Sequence, residues 1–238
     1  MADSRPPLLK AAFGDARFSA FLAAQALGAF NDNAFKTFVA LLAVSADPAG
    51  APKLIAVAGG LFVLPFLLFS TLAGDAADRW PKSRLMVIFK AAELGLLLLA
   101  IPALAFGSIN ALLVLMFLMG THSAFFGPIK FAILPELVSD EDLSSANGLV
   151  QMTTFGGIIL GTAAAAELAH ACRQQPAYAA AALAAVGVVG LLTAFAVPAT
   201  PAARPNASLK PDVVSRTIAN LRDLARLPSV NLATYASA

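Results

Sequence analysis

The chain has 238 residues, of which 59% are hydrophobic and only 13% charged, with a net charge of +2 and a mean hydropathy of +0.78. Soluble domains are nearer half apolar and about a quarter charged, so this balance excludes a soluble enzyme. The small net charge likewise argues against a nucleic-acid partner.

Apolar segments separated by breakers predict an all-α membrane protein with six crossings, at 18–45, 54–73, 85–106, 110–134, 143–169 and 177–197. Three stretches carry no charge: Leu54–Ala73, Leu143–Ala166 and Ala177–Val197, of 20, 24 and 21 residues. A helix needs roughly 20 residues to cross the hydrocarbon core. The run from Leu94 to Ile129 is also uncharged but too long for one crossing, and Gly107-Ser108-Ile109-Asn110 supplies the turn that divides it. The start of the chain does not read as a cleavable signal, because Asn31-Asp32-Asn33 and Lys36 interrupt the first apolar run.

Six crossings place both termini on one side, and the basic residues indicate which. Arg5, Lys10, Arg17, Arg79, Lys82, Arg84, Arg204, Lys210, Arg216, Arg222 and Arg226 fall on the side of the termini, whereas Lys53 and Arg173 fall opposite. By the positive-inside rule both termini are cytoplasmic. The predicted organisation is a cytoplasmic segment over 1–17, a six-helix bundle over 18–198, and a cytoplasmic linker over 199–238. In that linker Val214, Ile218, Leu221 and Ala225 form the apolar stripe of an amphipathic helix at about 212–227, which lies on the membrane surface or packs beneath the bundle.

Polar side chains inside a membrane are costly and mark function. The first span holds the densest group: Gln25, Asn31, Asp32, Asn33 and Lys36. Gln25, Gly28, Asp32 and Lys36 share one stripe, and Asp32 with Lys36 makes an i,i+4 acid–base pair. One such pair does not account for three consecutive polar residues, which favours a binding site for a charged or zwitterionic headgroup. Lys90 and Glu93 in the third span read as a neutralised pair whose lysine snorkels to the interface. In the fourth span His122, Phe126 and Lys130 share a face, on either side of Pro128; cavity lining and simple packing both fit. In the fifth, Gly157-x-x-x-Gly161 offers a close helix-packing face. One cysteine, Cys172, forms no internal disulfide, and two histidines do not make a metal centre. No cofactor motif is present.

Three segments carry a resemblance. Leu27-Gly-Ala-Phe-Asn-Asp-Asn-Ala-Phe-Lys36, Phe125-Phe-Gly-Pro-Ile-Lys-Phe-Ala-Ile-Leu-Pro135 and Asn147-Gly-Leu-Val-Gln-Met-Thr-Thr-Phe155 resemble the first, fourth and fifth helices of bacterial lysophospholipid transporters, a branch of the major facilitator superfamily. Gly74, Asp78, Arg79, Lys82 and Arg84 are similar to that superfamily's loop motif between helices 2 and 3, with Pro81 in place of the usual glycine. In this motif the glycine is expected to allow close helix approach and the basic residues to hold the loop at the inner leaflet.

The resemblance implies half of a twelve-helix transporter, a six-helix unit built as a 3+3 repeat. It implies alternating-access flipping of lysophosphatidylethanolamine-like lipids across the bacterial inner membrane. Asn31, Asp32, Asn33 and Lys36 are then the expected headgroup residues, with His122 and Lys130 beside them. The expected partners are the lysophospholipid, membrane lipids, a second six-helix half or a second copy, and a functional link to an acyltransferase. A facilitator for a soluble solute or drug, and an inactive truncated fragment, stay open. A membrane enzyme does not fit, because the two histidines lie on different helices and no Gly-x-Ser-x-Gly elbow occurs.

Overall fold

Ala, Leu and Phe dominate the apolar runs, and their length and lack of strand-type alternation favour helices whose backbone polar groups are satisfied internally. A computed structural model describes residues 16–203. Among these are six long helices: α1 (Ala16–Ala46), α2 (Ala51–Arg79), α3 (Lys82–Ala105), α4 (Ile109–Ala132), α5 (Leu143–Ala171) and α6 (Ala177–Phe195). A four-residue helical turn, Leu134–Leu137, and a 3₁₀ turn, Asp140–Asp142, join α4 to α5.

Helices α2 to α6 are long and apolar enough to cross a membrane. Helix α1 has ample length, 31 residues or about 46 Å, but its polar cluster sets it apart from the other five. The 212–227 amphipathic helix and nearly all of the 1–17 segment lie outside the described residues; Ala16 and Arg17 begin α1.

The connections follow local chemistry. Gly107 ends α3 with φ +61°, and the Ser108 and Gly107 N–H groups donate to Ala103 and Leu104 carbonyls at 3.0 and 3.2 Å. This is the paired bonding of a Schellman C-cap. Ser108 then caps α4, its hydroxyl accepting from the Ala111 N–H at 3.4 Å. Between α2 and α3, Trp80 is extended, as the residue before Pro81 must tend to be.

Helix α1 packs chiefly against α5 and α6, α4 chiefly against α2 and α3, and α3 against α6. Small residues permit the closest approaches. A Cβ on Gly157 or Gly161 would lie 2.6 or 2.3 Å from the α1 carbonyls of Ala26 and Phe30, and one on Gly120 would lie 2.1 Å from the Phe62 carbonyl of α2. The expected packing role of Gly157 and Gly161 is therefore met, and Gly120 makes a third such contact. Gly74 does not, since nothing lies within 4 Å of a Cβ there. The outer faces of α2, α5 and α6 expose Leu67, Ile159, Leu160 and Leu192, each more than 60% accessible, as a surface meeting lipid or another apolar body would be.

Candidate functional site

The polar residues of α1 divide between two environments. Gln25, Gly28, Asp32, Asn33 and Lys36 line an open cavity of about 200 Å³ between α1, α2, α4 and α5. The single stripe expected for Gln25, Gly28, Asp32 and Lys36 faces this cavity. From α4 come His122, Ser123, Phe126 and Lys130; from α2, Phe62 and Phe66; from α5, Thr154 and Ile158. The face shared by His122, Phe126 and Lys130 thus borders the same space.

Within the cavity, Asp32 accepts a hydrogen bond from the Ser123 hydroxyl at 2.5 Å through Oδ2, while its buried Oδ1 has no partner. Lys36 does not turn to Asp32 as the i,i+4 spacing suggested. Its ammonium donates to Asn33 Oδ1 at 3.1 Å and sits 5.2 Å from the centre of the Phe62 ring, a cation–π arrangement. Asn33 is held in turn by donating to the Ala29 carbonyl at 2.9 Å. Lys130 lies 3.5 Å from the Thr154 hydroxyl. That hydroxyl donates to Gln25 Oε1 at 2.9 Å, and Gln25 also donates to Thr153, which ties α1 to α5. The cavity therefore presents two ammonium groups and one carboxylate against aromatic walls.

Asn31 was expected at the headgroup, yet it does not line the cavity. It is fully buried, and its amide donates to Glu93 Oε1 at 2.8 Å. The reason is angular: successive residues on a helix are turned by about a third of a circle, so Asn31 and Asp32 cannot face the same way. Lys90 and Glu93 form the expected pair at 2.6 Å, but Lys90 does not snorkel. Both side chains are 1% exposed, and the Lys90 ammonium lies 5.3 Å from the Phe126 ring centre, under the cavity wall. His122 Nε2 lies 3.9 Å from Glu93 Oε2, and neither ring nitrogen has a hydrogen-bond partner.

The loop motif is also placed differently from the expectation. Lys82 is 3% exposed and pairs with Glu136 at 2.5 Å, so it secures the end of α4 rather than reaching toward lipid. Arg84 is exposed, and Arg79 stacks over Trp80 at 5.5 Å. Ser83 and Thr200 exchange bonds, the Ser83 N–H donating to Thr200 Oγ1 at 3.1 Å and the Thr200 N–H donating to Ser83 Oγ at 3.0 Å. Thr153 and Thr154 lie in the segment that resembles the fifth helix but, like Ser123, are not among the expected site residues; Ser and Thr are common within membrane helices, bonding their own backbone, and carry little signal there.

The described residues form a helical bundle with several helices able to cross a membrane and a charged cavity set among them, an architecture suited to a multi-pass membrane transporter, and the chain belongs to the Major Facilitator Superfamily, whose family model matches residues 21–238. Among its relatives, the lysophospholipid transporter LplT of Escherichia coli O7:K1 is 35% identical over 203 residues, covering 84% of this chain and 48% of that protein. The proteins of the same name from Escherichia coli strain K12 / DH10B and Shigella boydii serotype 18 are each 36% identical over 191 residues, covering 79% of this chain and 45% of theirs. The chain spans about half the length of the curated relatives it matches.

Proposed function

We propose that this chain supplies the first six-helix half of a transporter that flips lysophospholipids across the bacterial inner membrane by alternating access. The observation that carries this is the cavity itself. Asp32, Lys36 and Lys130 present both charge signs beside Phe62, Phe66 and Phe126, which suits a zwitterionic headgroup with an apolar tail better than a fully polar solute. The relatives named lysophospholipid transporters support the same substrate class. Asp32, Asn33, Lys36, His122 and Lys130 contact the headgroup in this reading, and the acyl chain stays among apolar side chains.

All six helices cross the membrane in this reading, with α1 tolerating its polar cluster because it borders a cavity. The helix pairing supports a 3+3 repeat: exchanging α1–α3 with α4–α6 turns the α1–α5 contact into α4–α2, and α1–α6 into α4–α3. Both termini are cytoplasmic, as the basic residues indicate. Gly74, Asp78 and Arg79 at the end of α2 and Lys82 and Arg84 at the start of α3 flank the turn that shifts between the two access states in this reading. A second six-helix half, or a second copy, closes the open side of the cavity, in keeping with relatives twice as long. The flipped lipid is the natural substrate of an acyltransferase.

The test is leaflet-to-leaflet movement of lysophosphatidylethanolamine in vesicles, for the 238-residue chain and for a version extended by any reading frame that follows it. Asp32→Asn is expected to slow movement, and unlabelled lysolipid is expected to compete where soluble solutes do not. A wild-type rate in a normally inserted Asp32→Asn protein would remove the headgroup role.

A further inference from the structure

Helix α1 has polar residues on several sides between Gln25 and Lys36, so hydrophobic periodicity alone does not say which side should face the cavity. A different set of contacts settles it. Glu93 of α3 accepts from Asn31 at 2.8 Å and from Lys90 at 2.6 Å, and all three side chains are at most 1% exposed. Lys90 reaches this position because Gly28, the single glycine of α1, leaves room for it. A Cβ at that position would lie 2.4 Å from the Lys90 ammonium. Across from them, α6 presents Gly190, where a Cβ would lie 3.8 Å from Lys90 Nζ, and Gly187, where it would lie 3.6 Å from Asn31 Nδ2.

We propose that Asn31, Lys90 and Glu93 form a rotational lock on α1: these positioning residues contact no substrate, but dictate that Asp32, Asn33 and Lys36 face the lipid cavity. The inference deepens the site proposed above and rests on that reading for its meaning, although not for its test. Its physical basis is the difference between stability and specificity. A buried ion pair stabilises little against an apolar replacement, because desolvation offsets the attraction; the best-attested use of buried polar groups is to set register. Turning α1 by one residue would remove the amide from Glu93 and drive a side chain into the space that Gly28 leaves for Lys90. Only one rotation satisfies the carboxylate, the ammonium and the amide together.

The experiment reads helix rotation without any lipid. In the 238-residue chain with Cys172→Ser, single cysteines are placed at cavity positions (Ala29→Cys, Asn33→Cys) and interior positions (Ala24→Cys, Ala34→Cys). Each protein is labelled in detergent with a charged, membrane-impermeant thiol reagent. The unaltered network is expected to give labelling at 29 and 33 and none at 24 and 34. The triple replacement Asn31→Leu/Lys90→Met/Glu93→Leu leaves no unpaired charge, so it is expected to fold with its thermal stability kept or raised while that pattern is lost and interior positions become reactive. A role in stability alone would lower the melting temperature and leave the labelled face as it was. Exchange of acid and amide, Asn31→Asp/Glu93→Gln, keeps both the bond and the charge balance and is expected to restore the wild-type pattern, whereas Glu93→Gln alone is not. A wild-type pattern in the triple variant would overturn the lock. Failure of the exchange to fold or to restore the pattern would overturn it as well. Failure of the unaltered chain to bind lysophosphatidylethanolamine, with these labelling results intact, would instead sink the headgroup reading and leave the lock standing.

Discussion

Asp32 and Glu93 are both acids within the bundle, yet they have opposite surroundings. Glu93 is saturated by Asn31 and Lys90, whereas Asp32 keeps one oxygen unpartnered at the cavity. Replacing Asp32 by Asn preserves an acceptor for Ser123 but removes the charge available to a ligand. If the proposed headgroup role holds, affinity for lysophosphatidylethanolamine falls by about 1–2 kcal/mol, the usual advantage of a charged hydrogen bond over a neutral one, measured by equilibrium binding to the vesicle-embedded chain. Removing one member of the other pair is a different event. Lys90→Met or Glu93→Gln alone leaves a buried charge unmatched and should lower stability by about 3–5 kcal/mol, read from the unfolding midpoint in detergent. Spacing revealed the Lys90–Glu93 pair. That Lys90 stays inside could not be read from it, because a lysine side chain is long enough to reach either an interface or a neighbouring helix.

At the scale of the helix, small residues decide how closely α1 and α5, and α2 and α4, approach. Gly161→Leu would force a side chain into the Phe30 carbonyl, and Gly120→Leu into that of Phe62. Overpacking of this kind typically costs about 1–3 kcal/mol and more where backbone blocks the way, so both variants should show a lowered melting temperature and poor recovery from the membrane. Gly74 has open space around it, and Gly74→Ala within helix α2 should be stabilising by roughly 0.5–1 kcal/mol, measured in the same way. Any loss of the proposed transport in Gly74→Ala would then report on movement rather than folding. The Gly157–Gly161 spacing was legible as a packing motif. Gly120 lacked such a partner spacing, and its role depends on where the α2 backbone runs.

For the molecule as a whole, two links hold the termini-side end of the bundle together: Lys82 with Glu136, and Ser83 with Thr200. The second joins the start of α3 to the chain leaving α6, across 117 positions. Ser83→Ala removes the hydroxyl that accepts from Thr200 and should cost about 1 kcal/mol. The expected sign is faster amide hydrogen exchange over residues 196–200, with exchange in α1 and α5 unchanged. Equal acceleration throughout the bundle would show that the link is not local.

Composition and charge-free length by themselves determined a helical membrane protein, the positions of its helices, the turn at Gly107–Ser108, and the stripe of Gln25, Gly28, Asp32 and Lys36. These are properties of one helix or one turn, and helical periodicity encodes them within a few neighbouring residues. The tertiary structure alone decided that Asn31 turns inward to Glu93, that Lys36 turns to Asn33 rather than Asp32, and that Lys82 pairs with Glu136. Each depends on how a helix is rotated about its axis and which long side chain a neighbour can reach. Periodicity leaves those angles open, and packing between distant segments closes them.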